Sequence, residues 1–386
     1  MKRLACCLLI LVCVLGCIAP AQQGESASPV PATEAPATPE QIETDVIEIR
    51  PNETQKPDPT FAPTAAPTEA PTPESTPEPT PEPTPVPPKY AAADGVYTIA
   101  WISDPQHYSE KFPDVYYAMT AFLRDHAAEM NLAYIIHTGD FVNHSQKEEE
   151  WEVADAAQAM IDDIPNGVLA GNHDVTDPAS YRMFCRYFGE KRYADKPWYG
   201  ESYKDNRGHY DLLTLGGTDY VFVYMGFEPD KAAFQWVKDA FAKYPARVGV
   251  LCLHDYYTKQ LTLSEDGQKW YDQVVKTTPN LYMVLCGHKY GSYLFPEDFD
   301  DDGDGSVDRT VYQMLFNYQA TMNDGGGGYL RLIRINEADG TMLHLTYSPP
   351  RDDFNRFDDP AMREDYYPFD ERNEEFTVPL PWRIEH

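Results

Sequence analysis

Five apolar runs in this chain each end in side chains that could ligate a metal or carry a proton. In order they close with Ser103-Asp104-Pro105-Gln106-His107, His137-Thr138-Gly139-Asp140-Phe141-Val142-Asn143-His144, Ala170-Gly171-Asn172-His173-Asp174, Leu253-His254-Asp255 and Cys286-Gly287-His288-Lys289-Tyr290. Carboxylates, carboxamides and imidazoles together make the mixture of O and N donors that hard and borderline divalent cations take. Such groups are costly to bury unless paired or metal-bound, so gathering them behind apolar segments implies a cation. The interleaved glycines let the backbone turn sharply and bring the side chains together. His173 or His254 alone would more often be a hydrogen-bonded core histidine. Beside His288, Asp104, Asp140 and Asp174, the metal reading outweighs that one.

The elements that must position these groups follow from periodicity. Strands are expected at Val96–Ser103, Ala133–His137, Gly167–Ala170, Tyr220–Met225, Val248–His254, Leu281–Cys286, Val311–Phe316, Tyr329–Ile335 and Met342–Tyr347. Helical patterns fall at Tyr116–Met130, Glu148–Ile161, Lys231–Lys243 and Gly267–Thr277. Alternation of strand and helix, then consecutive strands, predicts an α/β layered fold. The polar residues then lie just past strand ends, where open α/β sheets bind ligands. The Tyr- and charge-rich stretch Tyr193–Tyr210 is expected as a loop lining the pocket.

The series DPQ, GDFVN, GNHD, LHD and GHKY resembles the calcineurin-like metallophosphoesterase family, whose pattern runs D-x-H or D-x-Q, GDxxD or GDxxN, GNHD, a lone His and GHxH. The likeness covers about Gly95 to Pro349; Gln106 suits the D-x-Q branch, and Asn317-Tyr318-Gln319, the run Gly325–Gly328 with Tyr329-Leu330-Arg331, and Thr346-Tyr347-Ser348-Pro349 resemble the C-terminal stretch of bacterial secreted members. It implies a layered β-sandwich flanked by helices, with metals at the C-terminal ends of strands. It implies two transition-metal ions, of Mn, Fe, Zn or Co, which activate a hydroxide for in-line attack on phosphorus. Asp140 would hold both. One ion, the beta metal, would take Asp140, Asn172, His254 and His288. The other, the alpha metal, would take Asp104, Asp140 and Gln106, and its last family ligand falls on Tyr290. A phenol with an ordinary pKa of about 10 is a poor donor to a divalent ion, so a weakened alpha site is the expectation. By the same likeness His173 would protonate the leaving oxygen, Asp174 would orient its imidazole, and Asn143 would fix the geometry of the ligands.

Composition and chain ends bound where such a protein works. The chain has 62 acidic and 31 basic residues and a net charge of −31. That argues against nucleic-acid binding, which rests on Lys and Arg neutralising phosphates, and against a polybasic membrane contact. Of the 34 prolines, 19 lie between Pro20 and Pro88, where a packed core cannot form. Residues 18–89 are therefore expected as an extended, disordered Pro/Thr/Glu-rich stalk. Residues 1–17 place Lys2 and Arg3 before an apolar run too short to span a bilayer, as export signals do. Val14-Leu15-Gly16-Cys17 resembles the lipobox of bacterial lipoproteins. It implies a lipid on Cys17 and anchoring at the outer face of a bacterial membrane; the alternative is an ordinary signal peptide cut near Ala21. The expected organisation is signal peptide 1–17, stalk 18–89, phosphoesterase domain 90–350 and an acidic aromatic tail 351–386, as a monomer. Cys185, Cys252 and Cys286 form no disulfide framework and read as free thiols, a bridge between the last two being the lesser alternative.

One acidic motif stands apart. From Asp300 to Asp308, oxygens at positions 1, 3, 5 and 9 with Gly305 at position 6 match the first part of an EF-hand-type calcium loop. Position 12 is Val311 rather than Glu, so a solvated acidic hairpin is expected ahead of a calcium site. The function expected overall is a surface-anchored, metal-dependent hydrolysis of an external phosphate mono- or diester. The alternative is a non-catalytic metal-binding surface protein whose alpha site has decayed.

Overall fold

The computed structural model describes residues 87–175, 180–319, 327–358 and 370–384. The expected signal peptide, Cys17 and the stalk up to residue 86 lie outside the described residues.

Strands run in chain order as β1 (Val96–Ile102), β2 (Leu132–His137), β3 (Asn166–Val168), β4 (Tyr199–Tyr203), β5 (Gly208–Leu215), β6 (Thr218–Met225) and β7 (Val248–Leu253). They continue as β8 (Leu281–Cys286), β9 (Gly291–Phe299), β10 (Arg309–Asn317), β11 (Leu330–Asn336), β12 (Thr341–Tyr347) and β13 (Glu375–Pro379). The helices are α1 (Gln106–Lys111), α2 (Pro113–Asp125), α3 (Glu148–Ala159), α4 (Arg182–Phe188), α5 (Glu190–Tyr193), α6 (Lys231–Lys243) and α7 (Glu265–Gln273). Two sheets result, in the orders β13-β12-β11-β1-β2-β3 and β4-β5-β6-β7-β8-β10-β9. In the first, β1, β2 and β3 are parallel; in the second, β6, β7, β8 and β10 are.

The central strands VYTIAWI (β1) and VGVLCL (β7) are buried along their whole length, the signature of sheets covered on both faces. Between the sheets Trp101, Ile136, Phe222, Leu285, Met314 and Ile333 form one core. The outer face of the first sheet packs under α2, α3 and α4, and that of the second under α6 and α7. Asp230 caps α6 through the Ala232 and Ala233 amides, and Ser264 caps α7 through that of Gly267. The architecture is the layered α/β sandwich that the sequence predicts.

One segment differs in part from expectation. Tyr193–Tyr210 forms the end of α5 and the β4–β5 hairpin at a sheet edge, and only its turn, with Lys204, Asp205 and Arg207, lines a cleft, one that shares no lining residue with the cavity holding Asp140 and His288. Its aromatic residues serve packing: the rings of Tyr193 and Tyr199 stack on His209, which stacks on Tyr224 at 4.5 Å. The described end of the acidic aromatic tail wraps onto the domain, since β13 pairs with β12 and the Leu380 amide donates to Gly340 O at 2.9 Å. Cys252 and Cys286 are buried free thiols.

Candidate metal centre

Parallel strands that end on one side of a sandwich deliver their next residues to one place. The turns after β1, β2 and β3 supply Asp104, Asp140 and the Asn172-His173-Asp174 run; those after β7 and β8 supply His254 and His288. Asp104, Asp140 and His288 have φ of 54°, 57° and 65°, the left-handed region that costs a side-chain-bearing residue on the order of 1 kcal/mol each. Seven other non-glycine residues among the described ones also have positive φ, but at these three buried or half-buried ligand positions it turns the side chains toward a common point. Two glycines make the approach feasible. A Cβ on Gly171 would lie 2.1 Å from Asp140 Oδ1, and one on Gly287 would lie 2.3 Å from Asp104 Oδ2.

His254 shows what the beta half requires. Its Nδ1 lies 2.8 Å from Thr138 O, and a carbonyl only accepts, so Nδ1 carries the hydrogen. Its Nε2 therefore turns toward Asn172 Oδ1 at 2.9 Å and Asp140 Oδ1 at 3.4 Å. A buried nitrogen facing two oxygens needs a cation between them, either a proton or a metal. Burial opposes the proton, but Asp140, its hydrogen bond and Asp104 prevail and push His254 up to about 10. Burial likewise raises the Asp140 carboxyl, yet the His254 charge outweighs it and holds the group below its usual range. Burial, with His254 and Lys289 nearby, pushes His288 down to about 3 and leaves it a neutral donor. One ligand atom each from Asp140, His254 and His288 lies within 4.8 Å of the others. Asn172 reaches the same group through His254, so the expected beta set is assembled.

The alpha half is looser. Asp104 is buried and accepts from Ser103 Oγ, and both its oxygens accept from the His288 amide at 3.0 and 3.1 Å. Burial pushes it up to about 7, with Asp140 adding to the rise and His254 opposing it. Gln106, in the first turn of α1, donates through Nε2 to Asp140 Oδ2 at 3.0 Å. Its Oε1 is buried with no hydrogen-bond partner. A buried acceptor left over beside a shared carboxylate fits a metal ligand. The donors present thus suit two ions: Asp140, Asn172, His254 and His288 for one, Asp104, Asp140 and Gln106 for the other. Tyr290 stands on the wall of the same cavity, of about 230 Å³, together with Gln106, Asn172, His173 and His288. Two cations, Lys259 and Lys289, also line it, and Lys289 Nζ lies 2.5 Å from His288 Nε2.

His173 is half-buried on this wall, and its amide donates to Asp140 Oδ1 at 2.8 Å. The group that orients its ring is not Asp174. His173 Nδ1 lies 3.0 Å from the carbonyl of Asn143. Asp174 instead accepts from the Val142 and Gly171 amides at 3.1 and 2.8 Å, joining the turns after β2 and β3. Burial and then the Asp140 charge push its carboxyl well up. Asn143 does fix geometry, but through its main chain, and Glu150 holds it by accepting from the Asn143 and His144 amides at 2.8 and 2.9 Å. Thr138 acts through its carbonyl, so its residue type did not announce it; Asn143 was expected, but it too acts through its carbonyl. Glu150 hides among Glu148, Glu149 and Glu150 at the start of α3. His137, stacked on Phe141 at 3.7 Å and bonded to Tyr116, is structural support.

The Asp300 loop brings Asp300, Asp302 and Asp304 together, all exposed. Asp308 does not join them and accepts from the Asp301 and Asp302 amides.

The family profile for calcineurin-like phosphoesterase matches residues 97–292, which include Asp104, Asp140, the GNHD turn, His254 and His288. This chain belongs to the calcineurin-like phosphoesterase family. The calcineurin-like fold is the sandwich described above, and phosphoester hydrolysis is the enzyme class that goes with it. The family typically carries a dinuclear metal site, for which Asp140, His254 and His288 form the candidate group here. A curated relative, the uncharacterized protein YvnB of Bacillus subtilis, is 41% identical over 269 residues, 69% of this chain. The match spans 21% of that relative, about a fifth of its length. Purple acid phosphatase PPD1 from yellow lupin (Lupinus luteus) seeds is 10% identical, with 76% of this chain and 56% of that one covered at a TM-score of 0.47. GAP50, the anchor in the inner membrane complex of Plasmodium, is 9% identical, covers 67% and 86%, and has a TM-score of 0.44.

Proposed function

We propose that this chain is an exported phosphoesterase, lipid-anchored through Cys17 at the outer face of a bacterial membrane, that hydrolyses an extracellular phosphate mono- or diester. The observation that supports it is the convergence of His254 Nε2, Asp140 and Asn172 on one point, with His173 adjoining. Bound divalent ions supply Lewis-acid charge and an acidified water. The chain's own residues do the rest. Asp140 spans both halves of the centre, since its Oδ1 faces His254 and its Oδ2 faces Gln106. Asn172 offers its amide toward the phosphoryl oxygens. His173, with Nδ1–H committed to Asn143 O, has Nε2 to offer the leaving oxygen, so it acts as an acid in its imidazolium form. The stalk would carry the domain away from the membrane, the chain would be monomeric, and no nucleic acid would bind.

Metal content and hydrolysis of aryl phosphate mono- and diesters, with and without added manganese, test this beside His173→Ala. Two metals per chain are expected, with turnover down about 10²–10⁴-fold in the variant. The second reading, a metal-binding surface protein without catalysis, draws on Tyr290 standing at the cavity wall where the family pattern has His. One metal or none, with no turnover under any ion, would establish it. Cys17→Ser should release the protein into the medium.

A further inference from the structure

A cleft of about 750 Å³ opens between α4 and the β4–β5 turn, lined by Tyr181, Arg182, Arg186, Lys204, Asp205 and Arg207. Four cations face one acid there, in a chain where 62 acids outnumber 31 bases. Arg186 shares its charge with Glu148 at 2.7 Å and Lys204 with Asp230, both acids outside the lining. Asp205 spends Oδ1 on the Glu190 amide at 3.0 Å. With both outside acids counted, four cations stand against three acids among these described residues. Cys185 also lines it, and burial pushes its thiol up to about 11, so it is a neutral wall rather than a nucleophile.

The cleft adjoins the metal centre through a short chain of contacts. Arg207 lies over the Tyr181 ring at 4.5 Å, and Tyr181 donates to Phe227 O at 2.5 Å. The Gly226 amide donates to Arg207 O and the Phe227 amide to Ala170 O, both at 2.9 Å. The Phe227 ring is 6.0 Å from those of His254 and His288. Tyr181 and Phe227 thus form the wall that stands between the cleft and the metal centre. We propose that this cleft binds a second phosphate group of the substrate, so that the preferred substrate is a phosphoester bearing at least two phosphates. The proposal rests on the phosphoesterase reading above. Guanidinium forks match phosphate oxygens in pairs. A surface this acidic repels polyanions, so a local basic cleft beside the reacting centre selects for them.

The test uses the purified metal-loaded chain and α,ω-alkanediol bisphosphates of graded length, each beside the alkyl monophosphate of the same length. Calorimetry measures binding, and inhibition of aryl phosphate hydrolysis measures competition. At least one bisphosphate should bind about tenfold tighter than its monophosphate, an advantage that shrinks with salt. Arg182→Ala with Arg186→Ala, both on the exposed face of α4, should bring that ratio close to one, and so should Arg207→Gln. A glycerol-phosphate oligomer sharing the advantage would assign a polymeric substrate; bisphosphates alone would assign a small one. No gain at any length, or a gain that survives all three substitutions, overturns the proposal. A gain seen by calorimetry in a chain without turnover would keep the cleft and reject the phosphoesterase reading.

Discussion

The metal centre and the Asp300 loop are both gatherings of acids, and they differ in what their oxygens already hold. In the centre, Asp140 and Asn172 point at a histidine nitrogen and Gln106 Oε1 is buried with no partner. In the loop the backbone answers the charge. Asp300 accepts from the Gly303 and Gly305 amides at 2.6 and 2.9 Å, and Asp304 accepts from Ser306 at 2.8 Å. The side chains are otherwise exposed. Proximity of carboxylates is thus a weak sign of a cation site, and unmet demand inside a low-dielectric wall is a strong one.

Substitutions should separate the two regions by size of effect. Asp140→Asn removes the carboxylate shared by both halves of the centre, and metal affinity should fall about 10³-fold, beyond the range for outer partners. Metal counts after dialysis read this. In the loop the largest effect should come from Asp301, which is no member of the acidic triad. It holds the buried Arg309 through Nε at 2.6 Å and Nη2 at 3.0 Å. Asp301→Ala should cost about 3 kcal/mol of stability in chemical denaturation by stranding that guanidinium.

Acidity gives a graded contrast. In the metal-free centre His254, pushed up to about 10, is protonated at neutral pH, and Asp104, pushed up to about 7, is partly so. A metal must displace these protons. Its affinity should therefore rise with pH between about 6 and 9, by roughly tenfold per unit for each proton released. Calorimetry in buffers of different ionisation enthalpy counts those protons, and a pH-independent affinity would contradict the arrangement. The smallest effect belongs to Asp302→Asn, whose exposed side chain should change stability by less than about 0.5 kcal/mol, with or without calcium. A calcium-dependent rise in Tm lost in that variant would restore the calcium reading.

The centre was legible because residue type and strand end coincide: apolar runs lead into Asp104, Asp140, His254 and His288, and the runs can be recognised without coordinates. What escaped was carried by main chain or by distance. The Thr138 and Asn143 carbonyls are present whatever the side chain, so only geometry reveals that they fix His254 and His173. Asp174 sits beside His173 in sequence, yet the turn sends its carboxylate to two amides. The β4–β5 hairpin mixes Tyr, Glu, His and Asp and lacks the β-branched run that marks a strand. The pairing of β13 with β12 joins segments far apart in sequence and leaves no local trace.

The place of β1 in its sheet has a mechanical consequence. It lies between β11 and β2, and just ahead of it Lys89 accepts from Arg334 and bonds Glu375 at 2.6 Å. In a chain tethered by its N-terminus, tension would draw β1 lengthwise between two neighbours. Such a shearing load falls on many ladder bonds at once instead of peeling them singly. A domain tugged by flow or by a bound polymer would then endure for as long as that one strand resists slipping, a lifetime set by a forced unfolding rate.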